Sequence, residues 1–271
     1  MLKRSISMLI TASVLAVSAA MFCGCGGERA QDTEPALKPI IIGSDDYEPY
    51  NYIDADGNFA GVDVELAVEA FHRLGYEPTF RQIDWGLKDS LLANGEVDCL
   101  WGSFSMTGRE DRYNWAGPYM YTQRVVVVPA DSEIETLEDL AEKCVAVQAG
   151  SISEEIILKG LNPNLPEITD LSTFSTMGEV FTSLRKGYAD AAIGHESSLR
   201  LYTDEYPDGY RYLNMNMYSD AVRVAFKPDG DAVLAEKLTQ TLLEMREDGT
   251  TAAIVKKYGL DAEKSVNGGT E

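Results

Sequence analysis

Between Gly95 and Tyr119 the chain reads GEVDCLWGSFSMTGREDRYNWAGPY, and this stretch narrows the folds open to it more than any other. Val97 to Trp101 is a short apolar run that suits a buried strand. A loop of hydroxyls and small residues follows, with Gly102, Ser103, Ser105, Thr107 and Gly108, and then Arg109. In an open α/β sheet, ligands sit outside the carboxyl ends of strands. A strand that delivers small donors and a guanidinium to that edge is suited to a small anion. Arginine fits the task because its planar fork pairs with a carboxylate through two parallel charge-assisted hydrogen bonds.

The remaining pattern alternates strand and helix. Ile40 to Gly43 reads as a strand, followed by Ser44-Asp45-Asp46-Tyr47-Glu48-Pro49-Tyr50 and a hairpin-like excursion from Asn51 to Ala60. Gly61-Val62-Asp63 opens a helix with Val64, Ala67, Val68, Phe71 and Leu74 at helical spacing, stopped by Gly75. Thr79 to Ile83 is a second strand, with Asp84-Trp85 at its end and a helix over 87–94. The valine run Val125 to Val128 suits a fully buried strand. Thr136 to Glu142 reads as a short helix and Cys144 to Val147 as a strand. Gln148-Ala149-Gly150-Ser151-Ile152-Ser153 then turns into a helix ending at Lys159. A glycine and serines at such a turn offer N–H groups to an anion, or simply cap the helix. Thr173 to Lys186 reads as strand then helix. Gly187 to Gly194 mirrors the Gly95 stretch, with His195 and Glu196 at its end. Ala221 to Phe226 is a strand, two amphipathic helices span 231–247 and 250–258, and Val266 to Glu271 reads as a loose tail. Roughly 230 folded residues accommodate one large or two medium domains, and this pattern favours two.

Gly95 and Asp98, the apolar strand, Ser103, Ser105, Thr107, Arg109, Trp115 and Pro118-Tyr119 together resemble the ligand loop of the periplasmic-type amino-acid-binding proteins of ABC importers, the extracellular solute-binding proteins of family 3. Tyr47-Glu48-Pro49-Tyr50 followed by Gly61-Val62-Asp63 resembles the same family's opening. The likeness runs from about Ile40 to Leu260. One residue intervenes in Thr107-Gly108-Arg109 where the commoner pattern has two. Arg112 is therefore a rival carboxylate anchor, and Arg109 is preferred for its spacing to Trp115 and Tyr119.

The resemblance implies an α/β, two-lobed type II periplasmic-binding-protein fold. Each lobe would be a mostly parallel sheet flanked by helices, joined by a two-strand hinge near Tyr121 to Gln123. It places 39–121 with 221–262 in lobe 1 and 122–220 in lobe 2, leaving 263–271 as a tail. It further implies that Asp46 (or Asp45), Tyr47, Trp85, Ser103, Ser105 and Arg109 face a ligand from lobe 1. Gly150, Ser151 and Ser153 would grip its carboxylate from lobe 2. At the strand end where the family usually has an aspartate for the ligand ammonium, this chain has His195 and then Glu196. Either Glu196 or Asp46 supplies the negative charge there, or the ligand lacks a standard ammonium. The implied function is capture of a free amino acid, polar or cationic, by a monomer that delivers it to an ABC permease without catalysis. Two alternatives share the fold: a dehydratase acting on a small carboxylic acid through Glu196 or His195, and a detached ligand-sensing domain.

Residues 1–24 read as a targeting segment, with Lys3 and Arg4 ahead of an apolar run too short to span a bilayer. By resemblance to bacterial lipoproteins, Cys25 becomes the lipidated first residue, with Cys23 the runner-up, and 25–38 is a polar tether to the outer face of the membrane. The formal net charge of −21 becomes −23 once Lys3 and Arg4 are removed. That charge opposes binding to nucleic acid or docking on anionic lipid, so attachment would rest on the lipid anchor. The sequence carries no Gly-x-Gly-x-x-Gly, no Walker lysine and no zinc-type cysteine spacing, so neither metal nor cofactor is expected. Cys99 and Cys144 fall in predicted strands of different lobes and are expected as free thiols.

Overall fold

The computed structural model describes residues 36–215 and 220–268; the expected targeting segment and Cys25 lie outside them. The first strand, β1 (Lys38–Ser44), leads through the short hairpin β2 (Tyr52–Ile53) and β3 (Phe59–Ala60) into helix α1 (Val62–Arg73). Then come β4 (Tyr76–Gln82), a single 3-10 turn at Trp85–Leu87, α2 (Lys88–Ala93), β5 (Cys99–Ser105) and β6 (Asn114–Thr122). After one residue, Gln123, the chain continues as β7 (Arg124–Pro129), β8 (Cys144–Gln148), α3 (Ile152–Lys159), β9 (Asp170–Phe174) and α4 (Met177–Arg185). These are followed by β10 (Ala191–His195), α5 (Glu196–Thr203), β11 (Tyr210–Asn214), β12 (Asp220–Phe226), α6 (Ala232–Glu247), α7 (Thr250–Lys257) and α8 (Ala262–Asn267).

Two five-stranded sheets result, with strand orders β4-β1-β5-β12-β6 and β11-β7-β10-β8-β9. In the first, β12 runs antiparallel to both neighbours while β1, β4 and β5 are mutually parallel. In the second, β7 runs antiparallel to β10 and β11 while β8, β9 and β10 are parallel. The reversed strand of each sheet is thus the one that arrives from the other sheet. Its first residue, not its last, lies at the edge where the parallel strands end.

The buried interior follows the sequence pattern. Every residue of β5 is buried, as a central strand with both faces covered requires. Val125, Val126, Val127 and Val128 are all within the second sheet's interior. Several elements depart from the sequence expectation. β5 continues through Gly102 to Ser105, where a loop is expected, because hydrogen bonding to β12 carries the strand on. β6, α5 and β11 are elements that the sequence pattern leaves unassigned. Residues 138–140 form only a 3-10 turn. The expected tail is helical as far as Asn267, capped by Asp261, with Ser265 and Val266 buried.

Candidate functional site

The carboxyl ends of β1, β5, β8 and β10 and the first residue of β7 converge between the sheets around a nearly filled cavity of about 20 Å³. Asp45 and Tyr47 come from the turn after β1, and Trp85 from the turn after β4. Gly102, Ser103, Phe104, Ser105 and Arg109 come from β5 and its loop. Arg124 begins β7, Gln148 ends β8, Ser151, Ile152 and Ser153 start α3, and His195 ends β10.

Ser103 adopts a left-handed backbone, φ 49°, which a non-glycine residue sustains only when its surroundings over-determine it. The determining group is Asp63, buried in the first turn of α1, whose Oδ2 accepts from the Ser103 N–H at 2.6 Å and from the Tyr119 hydroxyl at 2.9 Å. Burial lifts the Asp63 carboxyl to about 7 against these two donors. Gly61 makes the arrangement possible. It sits at φ 122°, and a Cβ there would lie 2.1 Å from the Tyr50 carbonyl oxygen. The Ser103 Oγ is buried without a partner among the described residues.

Arg109 is 1% exposed. Its Nε donates to Glu155 Oε1 at 2.9 Å, its Nη2 donates to the Gly150 carbonyl at 3.2 Å, and its guanidinium lies 4.9 Å over the Phe104 ring. Glu155 belongs to α3, so these bonds join the two lobes. Burial raises the Glu155 carboxyl, but Lys159, Arg109 and Arg112 outweigh it and hold it at about 2. Buried Lys88 adds a parallel link, Nζ to the Gly150 carbonyl at 3.0 Å. Burial, with Arg109 nearby, lowers that amine to about 8. Arg112, the rival anchor, reaches Glu155 and Asp89 from the half-exposed rim and does not line the cavity.

At the opposite wall, Arg124 is ion-paired with Asp220, the first residue of β12, which also accepts from Ser105 Oγ at 2.7 Å. Burial raises the Asp220 carboxyl, and Arg124 more than offsets that, leaving it below its ordinary value. The second Arg124 nitrogen lies 3.3 Å from His195 Nε2. Asp45 accepts from Asn51 Nδ2 at 2.9 Å and, across the lobes, from Gln148 Nε2 at 2.6 Å. Burial still raises its carboxyl to about 6.

Among the residues singled out from the sequence, Tyr47, Trp85, Ser103, Ser105, Arg109, Ser151, Ser153 and His195 are brought together. Three are not. Asp46 is exposed, because alternation along the extended turn sends its neighbour Asp45 inward. Glu196 begins α5 and turns to Arg200, 2.8 Å away. The Gly150 N–H is taken by Glu154 Oε2 at 2.6 Å, so that residue contributes its carbonyl to the lobe contact, not a free donor. Sequence reasoning passed over Asp63, Lys88, Arg124, Gln148, Glu155 and Asp220. The Gly-x-Asp at 61–63 was a legible signal for Asp63, and a charged residue heading a valine run was one for Arg124. Cys99 and Cys144 are free thiols in different sheets. No acidic, histidine or cysteine cluster able to hold a metal occurs among the described residues.

Two lobes joined by crossing strands, with a polar cavity walled from both sides, define a two-lobed periplasmic-type binding protein. The chain belongs to the bacterial extracellular solute-binding proteins, family 3, which it matches over residues 40–261. It is 28% identical over 240 residues to the arginine-binding extracellular protein ArtP of Bacillus subtilis (strain 168), covering 86% of this chain and 91% of that one. Among solved structures, an ancestral arginine-binding protein bound to arginine superposes with a TM-score of 0.74 at 25% identity, over 83% of this chain and 99% of that one. An ancestral amino-acid-binding protein described as a precursor of cyclohexadienyl dehydratase superposes with a TM-score of 0.71 at 26% identity, over 81% of this chain and 95% of the other.

Proposed function

We propose that this protein captures an amino acid outside the cytoplasm by closing its lobes, 39–121 with 221–262 against 122–220, and presents it to an ABC permease. In this reading Cys25 carries the lipid that holds it at the outer face of the membrane. The observation that carries the proposal is Arg109, 1% exposed at the cavity and hydrogen-bonded across the lobes to Glu155 and the Gly150 carbonyl, beside the hydroxyl-bearing start of α3. A carboxylate entering there meets Arg109 and Ser103 from one lobe and Ser151 and Ser153 from the other. Contacts of that kind exist only in the closed form, which is what lets a ligand shift the equilibrium toward closure.

The relatives' names support an amino-acid ligand. The dehydratase alternative loses its two named acids: Glu196 is paired with Arg200 away from the cavity, and burial, reinforced by Arg124, holds the His195 imidazole near 3 and therefore neutral. Thermal-shift screening of the purified protein against the common amino acids tests the binding reading. A ligand at 100 times its Kd adds about 2.7 kcal/mol of stability, and no shift with any amino acid would overturn it.

A further inference from the structure

Glu155 is the carboxylate on which the two lobes meet. It lies in the first turn of α3, and its Oε1 accepts from Arg109 Nε and from Arg112 Nη1, each at 2.9 Å, both from the loop that follows β5 in the other lobe. Its Oε2 accepts from Lys159 Nζ at 2.7 Å, one turn further along α3. Burial raises the Glu155 carboxyl, but these three cations outweigh it and keep the group ionised. Hydrogen bonds between ionised groups are roughly twice as strong as neutral ones. Arg109 is buried, so solvent screens its half of the cluster little.

The three partners differ in what parting the lobes would do to them. Lys159 and Glu155 share one helix and move together. Arg109 and Arg112 belong to the opposite lobe, so parting breaks their bonds to Glu155. Among the described residues, the other ion pair between the two sheets is Arg124 with Asp220. That pair joins the first residues of β7 and β12, at the crossing itself, where parting displaces groups least. Arg112 instead sits on the half-exposed rim, and neither it nor Glu155 lines the cavity. The second partner of Arg112, Asp89, lies in its own lobe. Arg112 therefore bears on a bound ligand only through Glu155.

Resting on the binding function proposed above, we infer that Glu155 is the positioning residue for closure: gripped by Arg109 and Arg112, it latches lobe 2 onto lobe 1 over a captured amino acid and sets how long that amino acid stays. A ligand enters while the lobes are apart and the latch is unmade. It leaves only after the latch breaks. The latch thus stabilises the closed complex and slows release without changing capture.

The test is stopped-flow tryptophan fluorescence, for which Trp85 lines the cavity. Of the common amino acids, the probe is the one that raises the melting temperature of the wild-type protein most. Glu155→Gln keeps the shape and removes the charge; it should raise the dissociation rate at least about tenfold and leave the association rate within about threefold of wild type. Arg112→Gln should raise dissociation about two- to fivefold, as suits a half-exposed pair. Added to Glu155→Gln, it should do nothing more, because Arg112 acts through Glu155. Lys159→Gln removes a partner of Glu155 without crossing the lobes, and should leave dissociation within about twofold of wild type. Unchanged dissociation in Glu155→Gln overturns the inference. So does slower dissociation, which would make Glu155 a competitor of the ligand carboxylate for Arg109. A loss confined to association, or an Arg112→Gln effect that persists in full without Glu155, overturns it as well. All of these leave the amino-acid-binding function standing, whereas failure of every amino acid to bind would remove both.

Discussion

Replacing Arg109 by alanine should separate ligand binding from lobe stability. The side chain is 1% exposed and makes two cross-lobe hydrogen bonds, to Glu155 at 2.9 Å and to the Gly150 carbonyl at 3.2 Å. Truncating one partner of a buried, hydrogen-bonded charge pair costs about 2–5 kcal/mol of binding. At about 1.4 kcal/mol per decade, affinity should fall by roughly 30-fold to several thousand-fold. The effect on folding should be smaller than the loss of an isolated buried pair. Glu155 keeps Arg112 at 2.9 Å and Lys159 at 2.7 Å, and its side chain is 13% exposed, so it is not stranded. We expect a stability loss of about 1–3 kcal/mol, in the range for losing hydrogen bonds to a charged group. Calorimetric titration gives the first quantity and urea denaturation the second. Arg109→Lys, which keeps charge without the fork, should fall between wild type and alanine in affinity. A folded Arg109→Ala protein whose affinity changes less than about threefold would refute the assignment of Arg109 as the carboxylate anchor.

Stability should also depend on pH in a direction set by the buried acids. Asp45 and Asp63 have folded values raised to about 6 and about 7 from 3.8, so the folded state holds more protons than the unfolded chain in that interval. Their stabilising contribution is complete below the unfolded value and is lost as pH rises through about 6 and 7. Thermal melts from pH 4 to pH 8 should therefore decline with rising pH, and Asp63→Asn should flatten the upper part of that decline; an unchanged slope would contradict the burial argument. Glu155, depressed to about 2 from 4.5, works the opposite way and should weaken the fold only as pH drops through that lower window. Gly61→Ala should cost more than about 3 kcal/mol, because its Cβ would lie 2.1 Å from the Tyr50 carbonyl at a backbone angle that L-residues avoid. A denaturation midpoint equal to wild type would show that this turn relaxes freely.

Much of the architecture could be read from local pattern. The valine run, the paired Gly-x-x-Asp stretches before β5 and β10, and the serines opening α3 reflect short-range constraints: burial on both faces of a strand, a turn before it, a cap on a helix. The Arg109 position was legible only through the family resemblance, whose spacing to Trp115 and Tyr119 it keeps. What the sequence could not decide were matters of partner and direction. Asp45 and Asp46 are chemically alike, and only the packing of the β1 turn sends the former inward and leaves the latter in solvent. Arg124 and Asp220 enter the site because the strands they begin run against their neighbours, bringing first residues to an edge where sequence reasoning looks for last ones. Glu155 meets Arg109, and Gln148 meets Asp45, across a gap between lobes that are far apart along the chain. Hydrogen bonding and charge pairing act through space over a few ångströms, so these pairings were settled by the tertiary structure alone.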